Sequence, residues 1–223
     1  MPHASQREGA AAARVAEVRI ISTKLRCEYV SLDRAYDASF QLADAVRRSG
    51  FVPDVMIAVA RGGFVPARLL CDFLGHALLS SVTIRHYEAG GLELAGASIT
   101  APVSVDVGGR RVLVVDDVND SGETLAAARD HLSGLGAREV RCAVLHEKER
   151  SPVRADFVAE HVIGWRWMLY QWALTEDVTA FARQMDPRPS TRAELASRLE
   201  RDFGLRLPEA HLAKLWGALE RDG

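Results

Sequence analysis

Unbroken aliphatic runs alternate along this chain with stretches in which apolar residues recur every three or four positions. Val55–Ala60, Ala77–Arg85, Arg111–Val115 and Val140–Leu145 are short and rich in β-branched residues, as expected of strands buried on both faces. Between them, Leu32–Ser49 carries Tyr36, Phe40, Leu42, Ala43 and Val46 at helical spacing and is stopped by Gly50; it should pack beside the first core strand. Thr124–Leu135 has the Ala and Leu spacing of a second helix, and Pro66 suits a first helical turn after Gly62 and Gly63. The alternation predicts an α/β sheet. A Gly-rich stretch from His86 to Gly96 reads as a mobile hairpin.

The pattern also divides the chain. Residues 1–24 read as an N-terminal arm, 25–185 as the main domain, and 186–223 as a helical extension behind the linker Asp186-Pro187-Arg188-Pro189. In that extension Thr191-x-x-Glu194 is a capping box ahead of Leu195 and Leu199. Pro208-Glu209 opens a second helix bearing Leu212, Leu215, Trp216 and Leu219.

Composition narrows the field. A chain of 223 residues, 48% hydrophobic, can bury one substantial core plus an appendage. A net charge of −2 provides no broad basic field for nucleic acid. The three isolated cysteines suggest neither a zinc site nor a disulfide framework, and an odd number fits a reducing compartment. No apolar run reaches membrane-spanning length and no secretory leader is evident, so a cytoplasmic location without membrane partners is expected.

The richest chemistry lies where the run Val112–Val115 meets Asp116-Asp117-Val118-Asn119-Asp120-Ser121-Gly122-Glu123-Thr124. A strand's carboxyl end followed by a helix N-terminus offers unpaired N–H groups to a phosphate. Ser121 and Thr124 add hydroxyls, and Gly122 permits close backbone approach. Asp116 and Asp117 would repel a bare phosphate, so they call for sugar hydroxyls, a divalent cation, or both. A sugar phosphate with Mg²⁺ satisfies these features, whereas solvated cap residues are the plain alternative. No Walker A or dinucleotide glycine pattern occurs.

This segment resembles the phosphoribosyl-pyrophosphate (PRPP) signature of type I phosphoribosyltransferases, with Asn119 where an aliphatic residue is more usual. Ala58-Val-Ala-Arg61-Gly62-Gly63-Phe64 resembles that family's pyrophosphate loop. His146-Glu147-Lys148, then Trp165-Arg166-Trp167-Met168-Leu169-Tyr170-Gln171-Trp172, is similar to the xanthine-guanine and related 6-oxopurine members. The likeness spans about Leu25 to Asp177 and implies a twisted, mainly parallel sheet with helices on both faces and a small hood.

It also implies roles. Asp116 and Asp117 would hold the ribose hydroxyls and Mg²⁺, mostly through substrate and water, and Asp120 would meet the purine N7 proton. Residues Asp120, Ser121, Gly122, Glu123 and Thr124 would bind the 5-phosphate, and Arg61 with Gly62 the pyrophosphate. Lys148 would donate to the purine O6, Trp167 would stack on the base and the Met168 backbone would read its edge; Trp165 and Trp172 are expected in the core. The implied reaction moves ribose 5-phosphate from PRPP to N9 of a 6-oxopurine in purine salvage, in a homodimer or homotetramer. The loop carries His86-Tyr87 where family members often have Ser-Tyr, leaving its catalytic contact open. Two alternatives remain: a PRPP- or nucleotide-sensing, RNA-binding regulator of the pyrimidine-attenuation type, and transfer to another base.

Overall fold

The computed structural model describes residues 25–76, 78–88 and 92–221. The expected arm at 1–24 and the tip of the expected hairpin lie outside them.

The aliphatic runs become adjacent strands of one sheet. β2 (Val55–Ala60), β3 (Leu79–Glu88), β4 (Leu92–Ala101), β5 (Arg111–Asn119), β6 (Glu139–Lys148) and β7 (Phe157–Val162) pair in the order β4-β3-β2-β5-β6-β7. All pairings are parallel except β3 with β4, which form an antiparallel hairpin. A separate parallel pair joins β1 (Cys27–Val30) to β8 (Trp167–Tyr170).

Alternate residues of each central strand feed opposite layers. Met56, Ala58, Leu113, Val115, Ala143 and Leu145 pack under α1 (Leu32–Arg48) and α2 (Phe64–Leu74). Ile57, Val59, Val112, Val114, Cys142 and Val144 pack under α3 (Glu123–Gly134) through Leu125, Ala128 and Leu132. Covering both faces explains why the strands read as continuous rather than alternating apolar runs.

Two details of the helix reading are corrected. α1 lies over β6, β7 and α2 rather than beside the first core strand. Its buried stripe is Ala35, Ala38, Ser39, Leu42, Ala43 and Val46, whereas Tyr36 and Phe40 are half exposed and meet Phe73 of α2 edge-on. Four of the six inner positions are alanine or serine, and the larger rings lie on the flank that faces α2. Arg34 on α1 donates to Glu28 of β1 and Glu160 of β7, each at 2.6 Å, tying the small sheet to the large one.

A third apolar cluster joins the small sheet to the chain's end. Leu169 of β8 is buried with residues from α4 (Leu174–Gln184), α5 (Arg192–Phe203) and α6 (Glu209–Leu219), among them Phe181, Leu195, Leu199 and Leu215. The packing therefore crosses residue 186 without a break. Thr191 caps α5 by accepting from Glu194 N at 3.1 Å, and Glu194 in return accepts from Ser190 N at 2.8 Å, one residue earlier than the capping box requires. Among the described residues no helix is long and apolar enough to cross a membrane.

Leu199 is fully buried in this third cluster. Leu199→Ala is expected to lower the unfolding free energy by about 2–5 kcal/mol in a urea titration; a loss below about 0.5 kcal/mol, the range of ordinary surface changes, would mean that the extension does not contribute to the cooperative fold.

Candidate PRPP and purine site

The parallel arrangement brings the carboxyl ends of β2, β5 and β6 to one edge, and each delivers part of the expected constellation. β2 ends at Ala60 and is followed by a cis Ala60–Arg61 peptide and the turn Arg61-Gly62-Gly63. β5 continues beyond the expected strand, carrying Asp116 and Asp117 within it and ending at Asn119. β6 ends on Lys148 itself.

The β2 turn presses against β5. A Cβ on Gly62 would lie 2.4 Å from Asp117 Oδ2, and one on Gly63 would lie 2.2 Å from the Val115 carbonyl oxygen. Both glycines are required by space. Arg61 then projects from the turn, with its guanidinium Nη2 donating to both carboxylate oxygens of Glu176 in α4, at 2.7 and 2.8 Å.

Asp116 is only 7% exposed, and its Oδ1 accepts from the Asp117 N–H at 2.9 Å. Burial, reinforced by the neighbouring Asp117 charge, pushes its carboxyl well above the ordinary range. Burial likewise pushes Asp117 up to about 6, opposed by the Trp172 indole N–H, which donates to Oδ2 at 3.3 Å. Tyr170 fixes the same residue from behind, its hydroxyl donating to the Asp117 carbonyl at 2.8 Å while also meeting His146 Nδ1 at 2.8 Å. Tyr170 and Trp172 stack with centroids 4.7 Å apart. The sequence motifs contain Tyr170 and His146 without marking a role for either: both are buried, and these partners lie on other strands.

At the start of α3, Gly122 has φ 83° and serves as the N-cap. A side chain there would be strained and would also meet Val153 Cβ at 2.6 Å. Ser121 precedes Gly122, and Glu123 and Thr124 follow it in the first turn of the helix, where backbone N–H groups favour anions. Asn119, the departure from the usual pattern, is a buried tie: its amide donates to Glu147 at 2.9 Å and to the Val153 carbonyl at 2.7 Å, and it accepts from Ser151 at 3.2 Å. It fastens the ends of β5 and β6 beneath the Gly122 turn.

Lys148 is 3% exposed and its ammonium pairs with Asp120. Burial lowers its pKa and the Asp120 charge opposes that shift. The same Nζ sits 4.5 Å from the centroid of the Trp165 ring. Trp165 is thus not in the core as expected; the loop before β8 carries it back over Lys148. Trp172 does pack against the α1–α2 core. Trp167 lies on the opposite side of β8, against the third apolar cluster, with its indole N–H donating to Asp177 at 3.1 Å. Met168 is buried, its backbone in register with Glu28 of β1. The structure brings Asp116, Asp117, Asp120, Gly62, the α3 N-terminus and Lys148 to one edge, while Trp167 turns away from Lys148. The backbone of His86 and Tyr87 lies in β3.

The phosphoribosyl transferase domain model matches residues 28–174. The hypoxanthine-guanine phosphoribosyltransferase of Saccharomyces cerevisiae is 25% identical over an alignment covering 68% of this chain and 87% of that protein. A purine phosphoribosyltransferase from Pyrococcus horikoshii Ot3 superposes with a TM-score of 0.57 at 32% identity, covering 66% of this chain and 94% of that one. A Neisseria gonorrhoeae protein solved with bound ppGpp does so with a TM-score of 0.57 at 29% identity, covering 66% and 89%. The matched residues include every strand end described above, and the chain belongs to the phosphoribosyl transferase domain family.

Proposed function

We propose that this protein transfers the 5-phosphoribosyl group of PRPP to N9 of a 6-oxopurine, releasing pyrophosphate. The observation that carries this reading is the ion pair of Lys148 with Asp120 at the same sheet edge as the Asp116–Asp117 pair. The purine phosphoribosyltransferases among its relatives support it.

In this reading the N-terminus of α3, from Asp120 to Thr124, holds the 5-phosphate, and Arg61 with Gly62 receives the pyrophosphate. Asp116 and Asp117 accept from the ribose hydroxyls, and their charge favours the cationic sugar that develops as the leaving group departs. Asp120 accepts the purine N7 proton, and Lys148 donates to O6. Because Trp165 rather than Trp167 flanks Lys148, we assign the aromatic face of the base site to Trp165, while Trp167 anchors β8 to the helical cluster. The second edge of β8 has no partner strand among the described residues, which leaves the Met168 backbone able to read the base edge.

The donor set fits magnesium brought by the substrate rather than a protein cage. Asp116 and Asp117 are adjacent, and no group of three potential metal-ligating side chains occurs among the described residues. Mg²⁺ characteristically keeps water and phosphate oxygens beside one or two carboxylates, and when bound it would neutralise pyrophosphate charge. We place the reaction in the cytoplasm as purine salvage, by a homodimer or homotetramer.

Pyrophosphate release from PRPP and Mg²⁺, assayed separately with xanthine, guanine, hypoxanthine, adenine, uracil and orotate, is expected with at least one 6-oxopurine; PRPP binding without release for all six would favour a sensor. Trp165→Ala is expected to raise KM for the base about tenfold, the loss of one stacked ring, and an unchanged KM would remove Trp165 from the site. Asp117→Asn is expected to lower kcat at least about a hundredfold, as for loss of one group stabilising transition-state charge. Its stability should change the other way. The folded protein holds the Asp117 proton up to about pH 6, whereas the unfolded chain releases it near 3.8, so this group's contribution to stability falls as pH rises through that window. Melting without ligand should therefore show Asp117→Asn gaining Tm relative to wild type as pH rises from 4 to 7; a pH-independent difference would contradict the buried charge.

A further inference from the structure

Arg61 is the cation proposed above to receive pyrophosphate, yet in this structure its guanidinium is held by an anion of the protein itself. Nη2 lies 2.7 Å from Glu176 Oε1 and 2.8 Å from Oε2. Glu176 stands in the first turn of α4, 115 positions away in sequence, where the chain has just left strand β8 of the small sheet. A carboxylate and a phosphate present similar oxygens to a guanidinium, and each takes the same charge-assisted hydrogen bonds. The Arg61 side chain is 76% exposed and that of Glu176 42%, so nothing buries the pair or prevents exchange. By contrast, Asp177, the next residue, is buried and bonds the Trp167 indole N–H, which keeps this helix turn fixed while Glu176 faces outward.

We propose that Glu176 is an internal stand-in for pyrophosphate: it holds Arg61 across the sheet edge in the ligand-free enzyme and must surrender it when PRPP binds, so it sets PRPP affinity without touching substrate. This rests on the reading of Arg61 as a pyrophosphate ligand. Glu176 is thus a positioning residue acting through Arg61. It weakens PRPP binding by the cost of breaking the ion pair, and it recaptures Arg61 as pyrophosphate leaves. The base subsite at Lys148 is not involved, so the effect belongs to PRPP and pyrophosphate alone.

The test is a double-mutant cycle of Glu176→Gln and Arg61→Gln, with PRPP and pyrophosphate affinities measured by calorimetry in Mg²⁺ and KM for PRPP and base measured in parallel. Exposed ion pairs are weak, so Glu176→Gln is expected to tighten PRPP and pyrophosphate about two- to fivefold, leaving KM for the base unchanged. In the Arg61→Gln background the Glu176→Gln change is expected to have no effect. Glu176→Asp, one methylene shorter, should tighten PRPP in the same direction and guards against a folding defect in the Gln variant. Unchanged or weakened PRPP binding in both Glu176 variants overturns the proposal, as does tightening that persists without Arg61. If Arg61→Gln itself leaves PRPP affinity unchanged, the assignment of Arg61 to pyrophosphate fails. If Arg61→Gln weakens PRPP while the Glu176 variants do nothing, only the stand-in role is lost.

Discussion

Two adjacent carboxylates are buried at the end of a central strand, and much of the surrounding architecture answers to that burden. Asp116 and Asp117 sit where hydration is poor; the Asp117 charge adds to the cost of ionising Asp116, and the Asp177 charge to that of Asp117, so both carboxyls are held above their ordinary range. Left alone, such a pair destabilises the fold at neutral pH. The chain meets this with directed dipoles: the Asp117 N–H bonds the Asp116 carboxylate and the Trp172 indole bonds the Asp117 carboxylate, while the Tyr170 hydroxyl holds the Asp117 backbone through its carbonyl. The residual cost fits the proposed complement, a hydroxyl-rich sugar with its cation.

That dependence links the active edge to the hood and the helices behind it. Tyr170 and Trp172 reach Asp117 only because β8 pairs with β1, and β1 is clamped to α1 and β7 through Arg34. Behind β8, Leu169 is sealed by α4, α5 and α6, and Tyr29 of β1 meets Gln171 at 3.0 Å and His211 of α6 at 3.3 Å. The C-terminal helices therefore brace the strand whose Tyr170 bonds Asp117. The same helical unit supplies Glu176 to Arg61, so both the Asp117 and Arg61 sides of the edge have contacts with elements beyond the central sheet.

Glycines act as spacers at this edge rather than as hinges. Gly62 and Gly63 let the β2 turn lie against β5 with no room for a methyl group, and Gly122 combines a left-handed backbone with crowding from Val153. Asn119 works in the same sense, since a buried amide with three partners fixes strand ends that an aliphatic residue would merely pack.

The sequence by itself determined the α/β layering, because a strand covered on both faces must be apolar throughout, and β2 matches its expected bounds of 55 and 60. It also located the acidic pair, the Gly62 loop, the Gly122 turn and Lys148, because each sits at a strand end where local order along the chain dictates the edge it occupies. Tertiary structure alone decided what faces what. Trp165 and Trp167 are two residues apart, yet one lies over Lys148 and the other packs among the C-terminal helices. The aromatic content of that segment is visible in sequence, but its assignment to ligand or core depends on where the preceding loop turns and which partner β8 takes. Tyr36 and Phe40 diverge from the inner stripe for a similar reason: helical spacing identifies a face, while the neighbouring helix α2, through Phe73, decides which rings leave it. The Arg61–Glu176 pair spans 115 positions, and no local pattern encodes a contact made only after the sheet, hood and helices have come together.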